Sequence, residues 1–590
     1  MLQTQKTMQV PLLPIGLAEF VDLREGGFVY VDKTRHIHHL LRVGKRPYFL
    51  SRPRRFGKSL LISTLQALLE GKRELFEGLW IGQQNRWDWS QKHPVIRLDM
   101  SLVSNKSPQD LEQDLKERIV TISQEHGVSF NPSSTLPACL NRLIEQLAQH
   151  KGPPVVLVDE YDKPLVDHLG GYSMEQREQE LEIAHANRQV LKSFYTVLKG
   201  QGAHLRLVFV TGVSKFAKTS IFSDLNNLTD LTLARSCATL TGYTQQELET
   251  NFKPHLQQLS TERHQSLQQL LDDIRRWYNG FRFSSVDACV YNPFSTLLLL
   301  EQQEFRSYWF QTGTPTFLTH LIKRTEDLQP DELAGACVSG STFESCELDR
   351  LQENLLPLMV QTGYLTIAAY DPSKESYTVD YPNREVKKGF LENLVQAYTH
   401  LAKGKTIHDV AQLSRALQQN DLPGYFVTLR RILAGISYEL HIPLERYYQT
   451  VFYLIHQLLG YCVHTEVHTH TGRIDAVIDL ETQTYLFEFK LEAGNPTPKK
   501  QLTADSDEAH RLKSSVAQDA LAQALGDSHR NLAQTALQQI KERQYHTKYL
   551  GKGKSVTLVG CVFTVNDMQG RPVRQATAWV SEQIEVSMLI

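Results

Sequence analysis

The chain has 590 residues, with 63 Lys and Arg against 65 Asp and Glu, a formal net charge of −2, and 41% hydrophobic and 22% charged residues. This balance excludes a largely disordered chain, a collagen-like chain, a membrane bundle and a uniformly basic nucleic-acid binder. A local basic groove stays compatible with it, because net charge sums over surfaces that face different ways.

At about 150 residues per domain, the length calls for three or four domains. The seven Cys stand singly and no CxxC pair occurs, which fits reduced thiols in a cytoplasmic protein and argues against a Cys-built zinc site. No apolar run approaches the roughly 20 residues that span a bilayer. The N-terminus lacks a charged-then-apolar signal pattern. The expectation is a cytoplasmic protein with no membrane partner.

In chain order, a strand is predicted at 47–50, a basic loop after it, and an apolar helix at Lys58–Leu69. A second strand follows at 95–100, then helices at 111–122 and 139–148. Val155–Asp159 is a continuous apolar run, the pattern of a strand buried on both faces. A polar helix near 174–199 and a strand at 205–211 complete the series. Strands alternating with helices predict a parallel sheet with helices on both faces. Residues 244–450 read as mainly helical, with aromatics such as Trp277 and Tyr278 in the core. An aromatic helix at 445–459 then leads to strands at 462–468, Gly472–Asp479 and 485–491, a polar stretch at 492–528, a helix at 531–545 and a strand at 555–564. The fold class is α/β. The expected domains are an NTPase core at 1–243, a mainly helical middle or lid at 244–430, and a compact α/β unit at 431–590.

The loop Ser51-Arg52-Pro53-Arg54-Arg55-Phe56-Gly57-Lys58-Ser59 lies between a strand and a helix, the context in which a phosphate-binding loop is meaningful. Gly57 permits a tight wrap, and the helix N-terminus adds positive partial charge. Lys58 would reach the β/γ-phosphates and Ser59 would hold Mg²⁺. The usual pattern has Gly where this chain has Arg52, so a basic turn ahead of a helix is the plainer alternative. Asp159 and Glu160, ending an apolar strand, strengthen the nucleotide reading: Asp159 to hold the metal, Glu160 to polarise a water. Thr211 ends the next strand. The expected nucleotide contacts are Arg55, Phe56, Gly57, Lys58, Ser59, Leu60, Asp159 and Thr211, with ATP and Mg²⁺ as cofactors. Lys215, Arg235 and Arg282 are open candidates for an arginine-finger role.

A second chemical cluster lies near the C-terminus. Side chains alternate along a strand, so Glu488 and Lys490 share one face and Phe487 and Phe489 the other. If the strands form a hairpin, Asp475 approaches Glu488. Two carboxylates make a hard oxygen site for Mg²⁺ or Mn²⁺, and Lys490 can orient a water or stabilise phosphate charge. The alternative is an exposed Glu–Lys pair on an edge strand. Glu445, Gln449 and Glu466 are neighbours. A zinc site at His464, His468 and His470 is disfavoured. Gln539, Tyr545 and the basic run Lys541, Arg543, His546, Lys548, Lys552 and Lys554 could contact substrate or backbone.

Together these residues carry a resemblance. Leu13-Pro14-Ile15-Gly16, Tyr30-Val31-Asp32-Lys33-Thr34, the Arg52–Ser59 loop, Asp159-Glu160-Tyr161-Asp162-Lys163-Pro164 and Thr211-Gly212-Val213-Ser214-Lys215-Phe216 resemble the predicted AAA-ATPase-like family of prokaryotic proteins. Gly472-Arg473-Ile474-Asp475 and Phe487-Glu488-Phe489-Lys490 resemble the PD-(D/E)xK nuclease domain that is commonly fused to it. The resemblance implies a P-loop ATPase sheet and a restriction-endonuclease-like domain. It implies an ATPase coupled to a metal-dependent nuclease acting on DNA, in a setting such as defence against mobile DNA. Arg52 is then part of that family's own loop. Asp475 and Glu488 become metal ligands, with Lys490 and Glu160 also catalytic. One departure is the stretch of about 45 residues between Leu491 and Ala536, which leaves the role of Gln539 in doubt and suggests a helical insertion. A homo-oligomer stays open. So do two rivals: a nucleotide-switched nucleic-acid-binding or assembly module with an inactive nuclease-like fold, and an ATPase acting on protein partners.

Overall fold

The computed structural model describes residues 10–584 except 43, 45, 130–133, 171–173, 216–220, 223–226, 313–317, 320, 323–331, 345–352, 400–402, 435–443, 460–461, 470–471, 493–514, 551–553 and 569–570. The chain divides into two compact units, 1–325 with 333–389, and 326–332 with 390–590. The divide falls within the region 244–430.

The first unit is built on a parallel sheet of β1 (Pro47–Ser51), β2 (Val95–Asp99), β3 (Val155–Asp159), β4 (Leu207–Gly212) and β5 (Thr229–Asp230), in the order β2-β3-β4-β1-β5. Every residue of β1, β3 and β4 is buried, because helices cover both faces. On one face lie α1 (Phe20–Glu25), α2 (Thr34–Arg42) and α3 (Lys58–Leu69), whose Phe20, Ile37, Leu61 and Leu65 join Tyr48, Leu50 and Leu157. On the other lie α4 (Pro108–Glu125), α5 (Leu136–His150), α6 (Lys163–Val166) and α7 (Met174–Gly200), whose Leu115, Leu143 and Phe194 join Phe49, Val156 and Val210. Each fully buried Leu, Val or Phe is worth about 1.5–3 kcal/mol, and that burial, more than helix propensity, holds the layers. Ser107 caps α4 ahead of Pro108 at the first helical position.

The middle is mainly helical. It comprises α8 (Gln245–Asn251), α9 (Lys253–Glu262), α10 (Leu267–Tyr278), α11 (Pro293–Gln302) and α12 (Leu355–Thr362). Capping boxes start α8 (Thr244 with Glu247) and α10 (Ser266 with Gln269). Between α10 and α11 sits a short hairpin, β6 (Phe281–Arg282) with β7 (Cys289–Val290). A three-stranded antiparallel sheet, in the order β8-β10-β9, joins β8 (Cys337–Ser339), β9 (Thr366–Asp371) and β10 (Ser376–Asp380).

The second unit begins within α13 (Arg384–Thr399) and continues through α14 (Lys403–Gln418), α15 (Leu422–Ala434) and α16 (Leu444–Leu458). Its sheet runs in the order β11-β12-β13-β14-β15: β11 (Cys462–Thr469), β12 (Gly472–Asp479), β13 (Gln483–Glu492), β14 (Ser555–Met568) and β15 (Arg571–Ile584). β13 and β14 pair in parallel, and the other pairs are antiparallel. One long helix, α17 (Ser515–Glu542), lies across the sheet, with Leu537 and Ile540 packed on Leu486 and Leu558. It crosses close to Gly560, where an added Cβ would stand 2.1 Å from the Ala533 carbonyl oxygen. The absent side chain lets the helix settle on the strand. On the other face, Phe452 of α16 meets Phe487 and Phe489 with ring centroids 5.0 Å apart in each case.

Candidate nucleotide and nuclease sites

In the first unit, β1 ends in the loop that enters α3. Gly57 has φ 81° and Arg55 φ 67°, so the chain reverses tightly and α3 starts at Lys58. The Lys58 ammonium is buried within this turn and donates to the carbonyls of Arg52 and Pro53, 3.1 Å from each. Burial holds its pKa below the ordinary lysine value, against the pull of Asp159, Glu160 and Asp162. Ser59 lies on the first turn of α3.

Asp159 closes β3 and is 1% exposed. Thr211, at the end of the neighbouring β4, donates its hydroxyl to one carboxylate oxygen. The other oxygen, Oδ2, is buried without a hydrogen-bond partner. An unsatisfied buried carboxylate oxygen is costly, and a cation is the partner its charge suits. Glu160 has φ 50°, a conformation costing on the order of 1–3 kcal/mol for a non-glycine residue. Burial raises its carboxyl pKa, with Lys58 opposing and Asp159 adding to the rise.

Asp162 accepts from the backbone N–H of Val213 and Ser214 and from the Ser214 hydroxyl. It thereby fixes the segment that follows Thr211. The sequence motif around Asp159 contained this residue, but nothing in its spacing marked it as a brace.

Arg52 is 1% exposed and points away from the turn. It donates to the carbonyls of Ser51, Thr232 and Cys237 at 2.8–2.9 Å and lies over the Phe283 ring, 4.3 Å from its centroid. Burial pulls its pKa down to about 10. The arginine that breaks the usual glycine pattern is thus a strut under the loop. Phe56 is buried against Phe281 and Phe283. Arg55 is exposed, with its guanidinium over Phe294. Two of the open arginine-finger candidates are held elsewhere: Lys215 pairs with Asp230 at 2.8 Å, and Arg282 donates to the carbonyls of Ser284, Ser285 and Ala368.

An apolar pocket opens beside Gly57 and Leu60, with about 540 Å³ of empty space that includes the solvent at its mouth. Pro14, Tyr30, Val31, Leu240 and Tyr243 line it, together with Thr241, whose buried hydroxyl has no hydrogen-bond partner. Apolar walls with a few polar groups, Lys33, Thr64 and Thr241 among them, are the features of a small-molecule site. Single-residue motifs could not reveal it, because its walls come from 14–64 and 240–293.

In the second unit, Asp475 on β12 and Glu488 on β13 lie on adjacent antiparallel strands. Asp475 accepts from the Phe489 backbone N–H at 2.7 Å. Glu488 is 3% exposed. Its Oε1 accepts from the Gln539 amide and lies 3.7 Å from Lys490 Nζ, while Oε2 is buried and unpartnered. Lys490 donates to the Gln539 carbonyl oxygen at 2.7 Å. Burial, and then the charge of Asp475, pushes the Glu488 carboxyl up to about 7, against Lys490 and Arg543. Two carboxylates with one unsatisfied oxygen fit a hard divalent cation whose remaining ligands are waters.

Gln539 was in doubt because of the long stretch before it. The structure places it in the cluster, since α17 crosses back over the sheet. Part of the basic run is spent within the unit, with Lys541 paired to Glu582 and Lys554 to Asp479. Arg543 donates to the Tyr545 hydroxyl at 2.9 Å. The side chains of Glu445, Gln449, His464, Glu466 and His468 lie outside the described residues, as do His470 and Lys552. Among the described residues, no helix is long and apolar enough to cross a membrane.

Residues 14–222 match the family described as Predicted AAA-ATPase, and residues 444–570 match the PD-(D/E)XK nuclease superfamily. Over 561 residues the chain is 35% identical to a protein of the vnfD 5′ region of Azotobacter chroococcum mcd 1, covering 94% of this chain and 96% of that one. Among solved structures, the Aeropyrum pernix ORC2 protein in ADPNP–ADP complexes aligns at 10% identity and a TM-score of 0.25, covering 61% of this chain and 92% of that one; no functional reading follows from so slight a likeness. The chain belongs to the Predicted AAA-ATPase family and carries a C-terminal domain of the PD-(D/E)XK nuclease superfamily.

Proposed function

We propose that the protein binds and hydrolyses ATP and couples this to metal-dependent cleavage of DNA. One arrangement supports it in both units: a buried carboxylate with an unpartnered oxygen, Asp159 Oδ2 or Glu488 Oε2, in the field of a lysine, Lys58 or Lys490. That is where a cation and a phosphate would neutralise one another.

In the first unit, the loop from Arg55 to Leu60 would cradle the phosphates, with Lys58 on the β/γ oxygens and Ser59 and Asp159 holding Mg²⁺. The pocket beside Gly57 would take the base and ribose. Glu160, its carboxyl already raised by burial, would accept the proton of the attacking water. Thr211 keeps Asp159 oriented.

In the second unit, Asp475 and Glu488 would hold Mg²⁺ or Mn²⁺, which when bound lowers the pKa of a coordinated water and screens phosphate charge. Lys490 orients the nucleophilic water and balances charge on the phosphate. Gln539 bridges Lys490 and Glu488, fixing both side chains for that task.

The test is one panel: wild type, Lys58→Ala and Asp475→Ala on plasmid, linear and single-stranded DNA, with and without ATP. Lys58→Ala should abolish ATP hydrolysis, and Asp475→Ala should abolish cleavage while leaving ATP binding intact. Mg²⁺-dependent cleavage that survives Asp475→Ala would remove the assigned nuclease site. DNA binding without cleavage under Mg²⁺ or Mn²⁺ would leave a nucleotide-switched binding module instead.

A further inference from the structure

The parallel sheet of the first unit has two unlike edges. Its strands end on Asp99, Asp159 and Gly212, with Glu160 and Asp162 just beyond. They begin on a different chemistry. The segments that feed four of the five strands, 41–46 before β1, 91–94 before β2, 150–154 before β3 and 199–206 before β4, contain no Asp or Glu; the sequence ahead of β5 contains Asp224. Each supplies cations: Arg42 and Arg46, Lys92, Lys151, and Lys199 with Arg206.

Because the strands are parallel, all four segments emerge on the same edge. The sheet order β2-β3-β4-β1 sets the cations in a row: Lys92, then Lys151, then Arg206, then Arg46. With strands about 4.8 Å apart, the row is about 14 Å long. Register places Pro47 beside Val208, so Arg46 and Arg206 enter neighbouring strands nearly side by side. Together with Lys199 they line one open cavity of about 460 Å³. All six cations are exposed except Arg206, which is half-buried and reaches the Leu41 carbonyl at 3.5 Å. Among the described residues, none of the six is in an ion pair with an acidic side chain. A solvated helix face usually intersperses both signs. Here four independent chain segments each supply cations and no acid of their own; the carboxylates that reach them, Asp88 on Gln91 and Glu145 on Gln201, come from outside the segments, so the edge is cation-rich.

We infer that this strand-entry edge is a docking track for the sugar–phosphate backbone of nucleic acid, at the edge of the sheet opposite the one on which Asp159 lies. A row about 14 Å long spans about four charges of a polyanion whose charges recur every 3.4 Å or so along one strand. The choice of nucleic acid over another polyanion rests on the proposed nuclease function.

The test measures binding of a fluorescein-labelled 30-base-pair duplex to the full chain by anisotropy, in EDTA so that cleavage plays no part, between 50 and 200 mM salt. Two variants are compared with wild type: Lys92→Glu/Lys151→Glu/Arg206→Glu, and the milder Lys92→Gln/Lys151→Gln, which touches only exposed side chains. The triple variant should bind at least tenfold more weakly near 0.1 M salt, and the slope of log K against log salt should fall by about 2–3. The double variant should lower the slope by about 2, with an unchanged thermal transition. Wild-type affinity and slope in both variants would overturn the inference while leaving the proposed cleavage untouched. Track-dependent binding by a protein that never cleaves would sustain the inference and end the nuclease assignment. A wild-type chain that ignores duplex but loses binding to phosphatidylserine vesicles on triple substitution would reassign the track to a membrane surface.

Discussion

The indole N–H of Trp309 donates to the carbonyl of Arg54, 3.3 Å away, across 255 residues of sequence. The phosphate loop is therefore held from outside its own sheet. The Trp309 backbone N–H in turn donates to Glu385 at 2.9 Å, and the Ser295 hydroxyl donates to the same carboxylate oxygen at 3.0 Å. With Phe56 lodged against Phe281 and Phe283, the middle region grips the loop at several points.

Trp309→Phe keeps most of the packing and removes the indole donor. A neutral hydrogen bond contributes about 0.5–1.5 kcal/mol. Nucleotide affinity should fall roughly two- to tenfold, read by titration with a fluorescent ATP analogue, with little change in the thermal transition. An unchanged affinity would show that the indole contact does not order the loop.

Arg52→Gly would restore the more usual phosphate-loop pattern and should nonetheless harm the protein. It strips the donors from three buried carbonyls and empties the space under the loop. At about 1 kcal/mol for each lost hydrogen bond, plus packing, the loss should be about 3 kcal/mol or more. Denaturant unfolding should show it, together with weakened ATP binding. A variant of wild-type stability would mean that Arg52 is dispensable.

The Glu488 carboxyl, pushed up to about 7 by burial, links the carboxylate–lysine cluster to pH. With no cation bound, the folded chain keeps a proton that the unfolded chain gives up near the ordinary value of 4.5, so stability falls as pH rises between the two values. A divalent cation displaces that proton. Apparent Mg²⁺ affinity, followed by calorimetry, should therefore weaken about tenfold per pH unit below 7 and level off above it. Glu488→Gln should flatten this profile and remove cleavage.

Gly560→Ala tests the seat of α17. The new methyl would collide with the Ala533 carbonyl, a backbone atom that cannot swing aside. Destabilisation of about 1–3 kcal/mol is expected, along with a disproportionate loss of cleavage, because Gln539 lies farther along the displaced helix. Equal wild-type cleavage at full folding would mean that the helix position is not critical.

Much of this was legible in the chain itself. The run at β3 is apolar enough to announce a strand covered on both faces, and those at β1 and β4 announce strands. The alternation Phe487-Glu488-Phe489-Lys490 sorts two aromatic rings from two charges without any coordinates. Gln539 stood out as a candidate contact, but its role stayed in doubt, because its place depends on a helix returning over strands that precede it by dozens of residues. The Arg52 strut hid for a different reason: a basic residue in a basic loop reads as solvated, and only the carbonyls of Thr232 and Cys237, far along the chain, reveal its burial. The pocket beside Gly57 likewise needs two distant segments to exist.

The parallel pairing of β13 and β14 has a practical consequence. Parallel neighbours must be joined by a crossover from one end of the sheet to the other, and here that crossover separates Lys490 from Gln539. Its length is set by reach alone, since the bridge between the two side chains depends on where α17 lands and not on how many residues precede it. Material can be added or exchanged in this connection without redrawing the cluster. It is the natural place for an engineer to graft a new recognition element.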